Sequence, residues 1–476
     1  MEYSKNQVLT VSIEDIGNNG EGIGRVDGYI LFVKDALLGD TVKAKLTKVK
    51  KNYAYARCEE IIEASGDRTD APCKEHRRCG GCQIQAMSYE SQLSFKENKV
   101  KNNLIRLGGI SEEKINGLFE GIIGMDSPER YRNKSQYPIG KGPDKEPVAG
   151  FYAGRTHSII PCTDCILAPG ENSRILEIIL GHMNKYKIAP YDENTGDGII
   201  RHVLIRKGFA TGQIMVCLVV QNSGRGEYIP GQDELAEKLS KTDGMSSICV
   251  SVNNKKTNVI MGNEIHTLWG SDRIEDILLG KRFEISPLSF YQVNPVMTEK
   301  LYSTAIEFAD LSGCEEVWDL CCGIGTISIC MSDKAKTVHG LEIVPEAIED
   351  AKKNAISNGT DNVDFICAAA EEYLPLHADE ITADVIVLDP PRKGMDEAAL
   401  SVIAAAGPSR IVYVSCDSAT LARDIKFLSE HGYELKRIKC IDMFPHTVHV
   451  ETVCLLSQRN ADDMIEVEIS GDLLKM

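Results

Sequence analysis

At the start of the chain, apolar and polar residues alternate in the pattern typical of half-buried strands. From residue 7 to about residue 62 the pattern predicts five short strands separated by glycine-containing turns. The predicted strands cover residues 8–13, 22–26, 29–33, 40–46 and 54–58. So many short strands in so short a segment predict a small closed β-barrel of the OB type as the first domain, residues 1–62.

The next block, residues 66–285, mixes two periodicities. Apolar residues recur at helical spacing in 88–107 and 171–186, and strand patterns occupy 198–206 and 214–220. We therefore expect a central α+β domain.

Residues 286–458 alternate strand and helix. The predicted strands are 317–320, 337–342, 363–367, 384–389, 411–414 and 452–456. Alternation with apolar strands predicts a doubly wound parallel α/β sheet, whose ligands bind at the carboxyl ends of the strands. An acidic tail, residues 459–476, completes this multi-domain prediction.

Charge is distributed unevenly. The formal net charge of −17 over 476 residues argues against a nucleic-acid partner. However, residues 41–57 contain no acid, interleave Tyr53 and Tyr55, and carry several cations: Lys43, Lys45, Lys48, Lys50, Lys51 and Arg57. A solvated barrel face would explain these lysines, but a cationic front half favours RNA or DNA.

Neither a membrane nor an oxidising compartment is indicated. The sequence has no run of eighteen apolar residues, and its first residues lack the apolar core of a signal peptide. We expect a cytoplasmic protein that binds no membrane. In a reducing compartment, clusters among its 16 cysteines indicate metal binding or catalysis rather than disulfides.

Three strand ends carry candidate cofactor chemistry. Residues 319–326, Asp-Leu-Cys-Cys-Gly-Ile-Gly-Thr, join a strand to a helix through a Gly-x-Gly turn that lets a ligand approach the backbone. Glu342 ends the next strand, where a carboxylate can accept bonds from ribose hydroxyls. Asp389-Pro390-Pro391 ends the fourth strand. The order of these motifs favours an S-adenosylmethionine (SAM) fold over simple packing glycines and a chain-reversing loop.

A cysteine and a carboxylate follow in the last part of this block. Cys416 lies just after strand 411–414, before a predicted helix whose start would lower the pKa of the thiol. Glu451 lies beside the last strand. A lone cysteine here is more often a small buried hydrophobe, but the pair predicts a nucleophile with a base.

A second cysteine group lies earlier in the chain. Cys73, Cys79 and Cys82 have metal-ligand spacing, and Cys162 or Cys165 would supply the fourth ligand. Spacing alone leaves zinc, an iron–sulfur cluster and unligated cysteines open.

Taken together, these motifs resemble the RNA uracil-C5 methyltransferases. The resemblance is carried by residues 413–417 with 420–424, by 389–392 and by 444–451. The front barrel resembles a TRAM domain, and the spacing of Cys73, Cys79 and Cys82 resembles the 4Fe-4S-binding members that modify large-subunit ribosomal RNA. The match covers nearly the whole chain except about its last twenty residues.

The resemblance implies roles for individual residues. Cys416 would be the nucleophile and Glu451 the base, and Asp389 is the third predicted catalytic residue. The implied cofactor-binding residues are Gln292, Cys321, Gly323, Gly325, Thr326, Glu342 and Asp389. The resemblance implies that Phe290 stacks on the target base and that the 4Fe-4S ligands are Cys73, Cys79, Cys82 and Cys165. The other predicted substrate-binding residues are Lys48, Lys50 and Lys51 of the cationic stretch, and Arg132. The family usually has an aromatic residue where this chain has Cys321, and some members have Asn where it has Thr326.

The implied function is SAM-dependent methylation of C5 of a uridine in ribosomal RNA, 23S rRNA in particular, through a covalent adduct between cysteine and C6. No obligate protein partner is implied. Transfer RNA is an alternative substrate, although members acting on it typically lack the barrel and the cluster. Two further alternatives are an amine methyltransferase that uses Asp389-Pro390-Pro391 and an RNA-binding assembly factor with an inactive methyltransferase domain.

Overall fold

The computed structural model describes residues 3–154, 156–221, 227–378 and 381–459. The chain folds into two compact units, each built from separate segments. The first unit comprises Met1–Lys99, Ile122–Lys300 and Asp442–Val450; the second comprises Val100–Gly121, Leu301–Ile441 and the chain from Glu451 onward. In the part of the chain that the structure describes, no helix is long and apolar enough to cross a membrane.

The N-terminal barrel is present as predicted. Its strands are β1 (Val8–Ile16), β2 (Gly22–Val26), β3 (Tyr29–Lys34), β4 (Thr41–Val49) and β5 (Tyr53–Glu63). They close in the order β1-β2-β3-β5-β4. Alternate residues such as Leu31, Val33, Ala54 and Ala56 fill the interior, so the residues between them face outward.

After the barrel come helices α1 (Tyr89–Arg106) and α2 (Glu112–Leu118) and strand β6 (Phe119–Ile123). Helix α2 begins after Ser111, whose hydroxyl accepts a hydrogen bond from the Lys114 N–H at 3.3 Å.

The centre of the first unit is a seven-stranded sheet with helices on one face. Its elements are β7 (Lys134–Lys141), β8 (Pro147–Tyr152), β9 (Ile159–Pro161), α3 (Glu171–Tyr186), β10 (Ile200–Lys207), β11 (Ile214–Val220), α4 (Gln232–Ser240), β12 (Met245–Val252) and β13 (Glu264–Gly270). The strand order is β13-β12-β11-β10-β7-β8-β9, and only β11 and β12 among these strands run parallel. Apolar residues of α3 and α4, such as Ile175 and Leu235, share one core with Val203 and Val216 of the sheet. This is the α+β arrangement that the periodicity predicts. A hairpin, β14 (Ile274–Leu278) and β15 (Lys281–Ile285), and helix α5 (Pro295–Ala309) follow.

The second unit contains an eight-stranded sheet. Its further elements are β16 (Glu316–Leu320), α6 (Thr326–Met331), a 3₁₀ turn (Ser332–Lys334), β17 (Thr337–Glu342), α7 (Pro345–Ser357), β18 (Val363–Cys367), α8 (Ala370–Leu376), β19 (Val385–Leu388), α9 (Glu397–Ala406), β20 (Arg410–Ser415), α10 (Ser418–Glu430), β21 (Tyr433–Ile441) and β22 (Glu451–Gln458). The strand order is β18-β17-β16-β19-β20-β22-β21-β6.

One feature of this sheet corrects the sequence prediction. The five neighbouring strands β18, β17, β16, β19 and β20 are parallel to one another. Strand β22 lies between β20 and β21 and is antiparallel to both. The sequence predicted β22 but not β21. The sheet is therefore mixed rather than wholly parallel. The acidic tail lies outside the described residues apart from Arg459, and the linear domain boundaries drawn from the sequence stay predictions.

Candidate active site

The loop between β16 and α6 closes against the end of β17. The backbone N–H groups of Cys321 and Cys322 donate to the Leu341 carbonyl at 2.9 and 3.0 Å, and the Gly323 N–H donates to Oε2 of Glu342 at 3.1 Å. These bonds hold the loop at the carboxyl ends of two adjacent parallel strands, where such sheets bind ligands. The predicted loop and the predicted acid are therefore together.

Two glycines shape this loop for different reasons. Gly323 and Gly325 have φ of 57° and 77°, in the left-handed region that favours glycine. A Cβ on Gly325 would lie 2.6 Å from the Phe365 ring, so this glycine is required by packing. A Cβ on Gly323 would meet no other described residue within 4 Å. The backbone at Gly323 thus borders open space that a ligand can occupy.

Asp319 is a buried acid to which the sequence reasoning gave no role of its own. Its Oδ2 accepts a hydrogen bond from the Ser328 hydroxyl, whereas Oδ1 is buried and has no hydrogen-bond partner among the described residues. Burial raises the pKa of Asp319 to about 7. An orphaned carboxylate oxygen beside the loop fits a ligand that brings a hydrogen-bond donor or a positive charge. The signal in the sequence was an acid within an otherwise apolar strand.

Nearby, the Tyr302 and Thr326 hydroxyls lie 2.9 Å apart. Thr326 was predicted as a cofactor residue, and Tyr302 was not. The carboxylate oxygens of Glu342 accept from the backbone N–H groups of Gly323 and Val344, the latter at 3.0 Å. Each oxygen keeps a second lone pair for a ligand hydroxyl.

The antiparallel direction of β22 brings Cys416 and Glu451 to the same place. Ser415, the last residue of β20, pairs with Thr452 of β22. Cys416 follows Ser415 and Glu451 precedes Thr452, so both lie next to this pair. If β22 were parallel to β20, Glu451 would lie at the opposite end of β20 from Cys416.

The charges of Cys416, Glu451 and Asp389 influence one another. Burial, reinforced by Asp389 and opposed by Arg392, raises the pKa of Glu451 to about 8. Burial raises the pKa of the Cys416 thiol to about 11, with further contributions from Glu451 and Asp389. Burial also raises the pKa of Asp389 to about 7. The site therefore disfavours negative charge until a cation enters it.

The expectation that the start of a helix lowers the pKa of Cys416 is wrong for this site. The Asp417 carboxylate caps α10, accepting from the N–H groups of Ala419 and Thr420 at 2.9 and 3.3 Å. These donors serve Asp417, while burial and nearby carboxyl groups raise the pKa of Cys416.

A buried network supports the loop that follows Asp389. The Tyr413 hydroxyl and the Met395 N–H both donate to Oδ2 of Asp424, at 2.6 and 3.0 Å. Arg423 donates to the Met395 and Lys393 carbonyls at 2.9 and 3.0 Å. Residues 420–424 thus hold the Pro-Pro loop in place.

Phe290 and Gln292 belong to the first unit. The Phe290 ring is 65% exposed, whereas Gln292 is buried and its carbonyl accepts from the Asn133 amide at 2.9 Å. Buried Arg206 donates to the Ser289 carbonyl. The segment is therefore fixed while one aromatic ring stays open to solvent.

The predicted cysteine group lines a cavity of about 400 Å³ within the first unit. Its cysteines are Cys73, Cys79, Cys82, Cys162 and Cys165. Arg132, predicted to bind RNA, lines the same cavity, as does Lys134, whose pKa is lowered to about 7 by burial, Arg206 and Arg132. No three His, Cys, Asp or Glu side chains within the described ranges are arranged to hold a single metal ion.

Arg130 braces the loop that carries Cys165. Its guanidinium donates to Asp164 at 2.6 Å, to the Cys165 carbonyl at 2.9 Å and to the Ala168 carbonyl at 3.0 Å. Cys162 instead continues from β9, and its N–H donates to the Ala149 carbonyl at 3.0 Å. Different backbone hydrogen bonds therefore hold the two candidate fourth ligands, Cys165 and Cys162, in place.

On the barrel, the basic stretch divides into two parts. Lys43 and Lys45 are paired with Glu60 and Glu59 at 2.7 and 3.3 Å. By contrast, three exposed lysines at the end of β4 and in the following turn make no ion pair within the described part of the chain; these are Lys48, Lys50 and Lys51. The unpaired charge lies where the sequence predicted an RNA contact.

A family model for tRNA (uracil-5-)-methyltransferases matches residues 210–459, which is more than half of the chain. This chain belongs to the tRNA (uracil-5-)-methyltransferase family. A TRAM-domain model matches residues 4–58, the segment that forms the barrel.

Relatives of this methyltransferase span almost its whole length. An uncharacterized RNA methyltransferase of Clostridium tetani is 46% identical over 455 residues, 95% of this chain and 97% of the relative. A similarly described protein of Listeria innocua is 46% identical over 454 residues, 95% and 98% of the two chains. The predicted enzyme class, an RNA methyltransferase, is confirmed.

A solved structure extends the likeness to the fold. The tRNA (uracil-54, C5)-methyltransferase of Pyrococcus abyssi, in complex with S-adenosyl-L-homocysteine, has a TM-score of 0.75 and 25% identity, covering 94% of this chain and 99% of that one. The predicted TRAM barrel and C-terminal methyltransferase fold are confirmed. Family membership and this complex support SAM as the cofactor of our enzyme.

Proposed function

We propose that this methyltransferase modifies C5 of a uridine in ribosomal RNA, 23S rRNA in particular, and forms 5-methyluridine. The observation that carries the proposal is the antiparallel pairing of β20 with β22, which brings Cys416 and Glu451 together. Asp389 directly follows the neighbouring strand β19. A thiol, a base and a cofactor loop at adjacent strand ends form a site for covalent catalysis.

The reaction requires a nucleophile because C5 of uracil is too unreactive to accept a methyl group directly. We propose that the Cys416 thiolate adds to C6, which makes C5 nucleophilic. SAM, when bound, supplies the methyl group from its sulfonium. Glu451 then removes the proton from C5, and breaking of the bond between sulfur and C6 releases Cys416. The target base must leave its stack to reach such a site.

The residues proposed to bind SAM are Gln292, Cys321, Gly323, Gly325, Thr326, Glu342 and Asp389. The open space at Gly323 and the unpartnered oxygen of Asp319 support a ligand at this loop. A cation in the site would also favour ionisation of the nearby acids and thiol. The exposed ring of Phe290 is proposed to stack on the target base.

The choice of ribosomal RNA is tested by mapping 5-methyluridine in cells with and without the gene. We expect a position in 23S rRNA to lose its modification and to regain it when the wild-type gene, but not a Cys416→Ala gene, is restored. Loss confined to transfer RNA would replace the proposed substrate, and unchanged maps of both RNAs would contradict the proposal.

Transfer RNA is the second candidate substrate because a specific observation favours it. The Pyrococcus abyssi neighbour is described as a tRNA methyltransferase and covers 94% of this chain, which leaves too few uncovered residues to exclude the whole barrel. The presence of a barrel is therefore weaker support for a ribosomal RNA substrate than the sequence alone indicates. An assembly factor without activity would bind SAM yet transfer no methyl group to either RNA. Cytoplasmic location and the lack of an obligate protein partner stay predictions.

We further propose that Cys73, Cys79, Cys82 and Cys165 hold a 4Fe-4S cluster. The five thiols around one cavity supply the donor atoms that such a cluster requires. Arg132 adds positive charge beside thiols that must ionise. The cluster would tie residues 73–82 to residues 162–165. The family resemblance favours Cys165 as the fourth ligand, Arg130 holds the loop that carries it through the Cys165 carbonyl, and Cys162 is the alternative.

Protein purified without oxygen should contain about four irons and about four sulfides per chain. Cys165→Ser should lower the iron content, whereas the matched variant Cys162→Ser should leave it nearly unchanged. Elemental analysis and absorption spectra measure this directly. Zinc without iron or sulfide would contradict the cluster, and the reverse behaviour of the two variants would exchange the fourth ligand.

Replacing Lys48, Lys50 and Lys51 together should weaken RNA binding while leaving SAM affinity nearly unchanged. Each phosphate contact that is lost should lower the log–log salt slope of RNA binding by roughly 0.7–0.9. Titrations at several salt concentrations measure the slope, and the paired Lys43→Met variant serves as control. An unchanged slope in the triple variant would mean that these lysines are only a solvated barrel surface.

A further inference from the structure

Three aromatic rings pack together on the outer face of the barrel. Leu31 and Val33 of β3 and Ala54 and Ala56 of β5 point into the barrel core. The residues between them therefore point outward. The outward aromatic residues are Phe32, Tyr53 and Tyr55, and we call them the aromatic triplet.

The rings form one continuous apolar surface. Phe32 lies opposite Tyr55 in the pairing of β3 with β5. The ring centroids are 5.7 Å apart for Phe32 and Tyr53 and 5.6 Å apart for each of the other two pairs. Tyr53 meets both other rings edge-on, whereas Phe32 and Tyr55 are inclined by only 34°. Each ring stays partly exposed.

Positive charge adjoins this surface. Lys48 pairs with Tyr55 across β4 and β5, and Lys50 and Lys51 occupy the turn that leads to Tyr53. As described above, these three lysines make no ion pair among the described residues. On the other side of the aromatic triplet, Lys34 lies two residues after Phe32 on β3 and therefore on the same outer face. Its ammonium donates to the Arg77 carbonyl at 3.0 Å.

We propose that the aromatic triplet is a stacking platform for unpaired bases of the RNA, with Lys48, Lys50 and Lys51 holding the adjoining phosphates. Aromatic faces beside a cationic track are the features with which proteins bind single-stranded nucleic acid without reading its sequence. Paired bases offer no free face, so the platform selects unpaired segments. A protein partner would match the rings but would need acidic groups opposite the lysines. The inference rests on the proposed function, since it presumes an RNA substrate.

The two parts of this surface should be separable in binding experiments on the full-length protein. The probe is a labelled unpaired oligoribonucleotide, compared with a duplex of the same sequence. Tyr55→Ala should weaken binding of the unpaired RNA about 10-fold without altering its salt slope, because stacking involves no phosphate. Tyr55→Phe should bind like the wild type. Duplex affinity should not change in either variant.

Two controls keep the result interpretable. Trp269→Ala removes an exposed aromatic ring elsewhere in the first unit and should not affect RNA binding. The second control avoids any effect of a substitution on folding. Wild-type protein is irradiated with RNA that contains 5-bromouridine, and cross-links are expected at Tyr53 or Tyr55. The platform is overturned if Tyr55→Ala binds unpaired RNA normally, if it weakens duplex binding equally, or if cross-links avoid both tyrosines. Such a failure would leave the mapping of 5-methyluridine, and hence the proposed function, untouched.

Discussion

Replacing Cys416 with alanine is expected to abolish methyl transfer and any covalent RNA adduct, a loss on the order of 10⁴-fold or more in rate. Without addition of the thiolate to C6, C5 never becomes nucleophilic. Transfer of labelled methyl groups and denaturing electrophoresis measure the two effects. Cys314→Ala, which removes an exposed cysteine of the same unit, is the matched control and should remain active. A Cys416→Ala enzyme that kept its rate would defeat the covalent mechanism and favour an amine methyltransferase.

Glu451→Gln should interrupt the reaction at a later step. Addition and methyl transfer need no base at C5, but the proton there would remain. Methylated RNA should therefore accumulate on Cys416 and survive denaturation. Normal turnover of Glu451→Gln with no trapped adduct would mean that another residue is the base, and His449 is the first candidate to test.

The raised pKa of Glu451 adds a pH dependence to this behaviour. Because that pKa is about 8, the carboxyl group is mostly protonated below this pH and ionised above it. The wild-type adduct should therefore persist below about pH 8 and be released faster as the pH rises. In Glu451→Gln this dependence should disappear, which separates Glu451 from other titrating groups.

The second large effect concerns stability rather than catalysis. Lys96 of α1 and Asp442 are both completely buried and form an ion pair. The Lys96 ammonium also donates to the Phe444 carbonyl at 3.0 Å, and the Tyr89 hydroxyl donates to Oδ2 of Asp442 at 2.9 Å. Lys96→Met would leave the Asp442 carboxylate buried without its cation. We expect the free energy of unfolding to fall by about 3–5 kcal/mol.

A double variant identifies the cause of this loss. Lys96→Met with Asp442→Leu removes both charges and should recover most of the stability, because no unpaired charge remains. Lys241→Met removes one side of an exposed ion pair in the same unit and should cause no measurable change. Urea unfolding of the variants provides the comparison. If Lys96→Met is as stable as the wild type, the pair does not stabilise the fold.

Local patterns predicted the barrel and most strands of the methyltransferase domain, because alternation and periodicity reflect which faces are buried. They could not give the direction of β22, since an apolar strand buried on both faces has the same composition in either direction. Strand β21 was missed because its sequence, Tyr433–Ile441, interrupts apolar positions with Lys436, Arg437 and Lys439. These charges lie at a strand near the sheet edge, next to β6.

The candidate site was predicted from residue types at strand ends, and the structure places Cys416 and Glu451 side by side for a reason the sequence did not contain. Their proximity depends on the antiparallel β22. The pKa of Cys416 was misjudged because the helix start that would have lowered it is occupied by Asp417. Asp319 was overlooked because an acid within an apolar strand can also be purely structural, and the buried, unpartnered oxygen that indicates a ligand is seen only in the structure.

The discontinuity of the first unit has a consequence for synthesis of the protein. Its last segment, Asp442–Val450, supplies the counter-ion of Lys96 and follows nearly all of the second unit in the chain. A ribosome must therefore translate through Val450 before the first unit has all its parts. A nonsense or frameshift mutation upstream of that point leaves Lys96 without its buried partner, so even a late truncation damages the first unit.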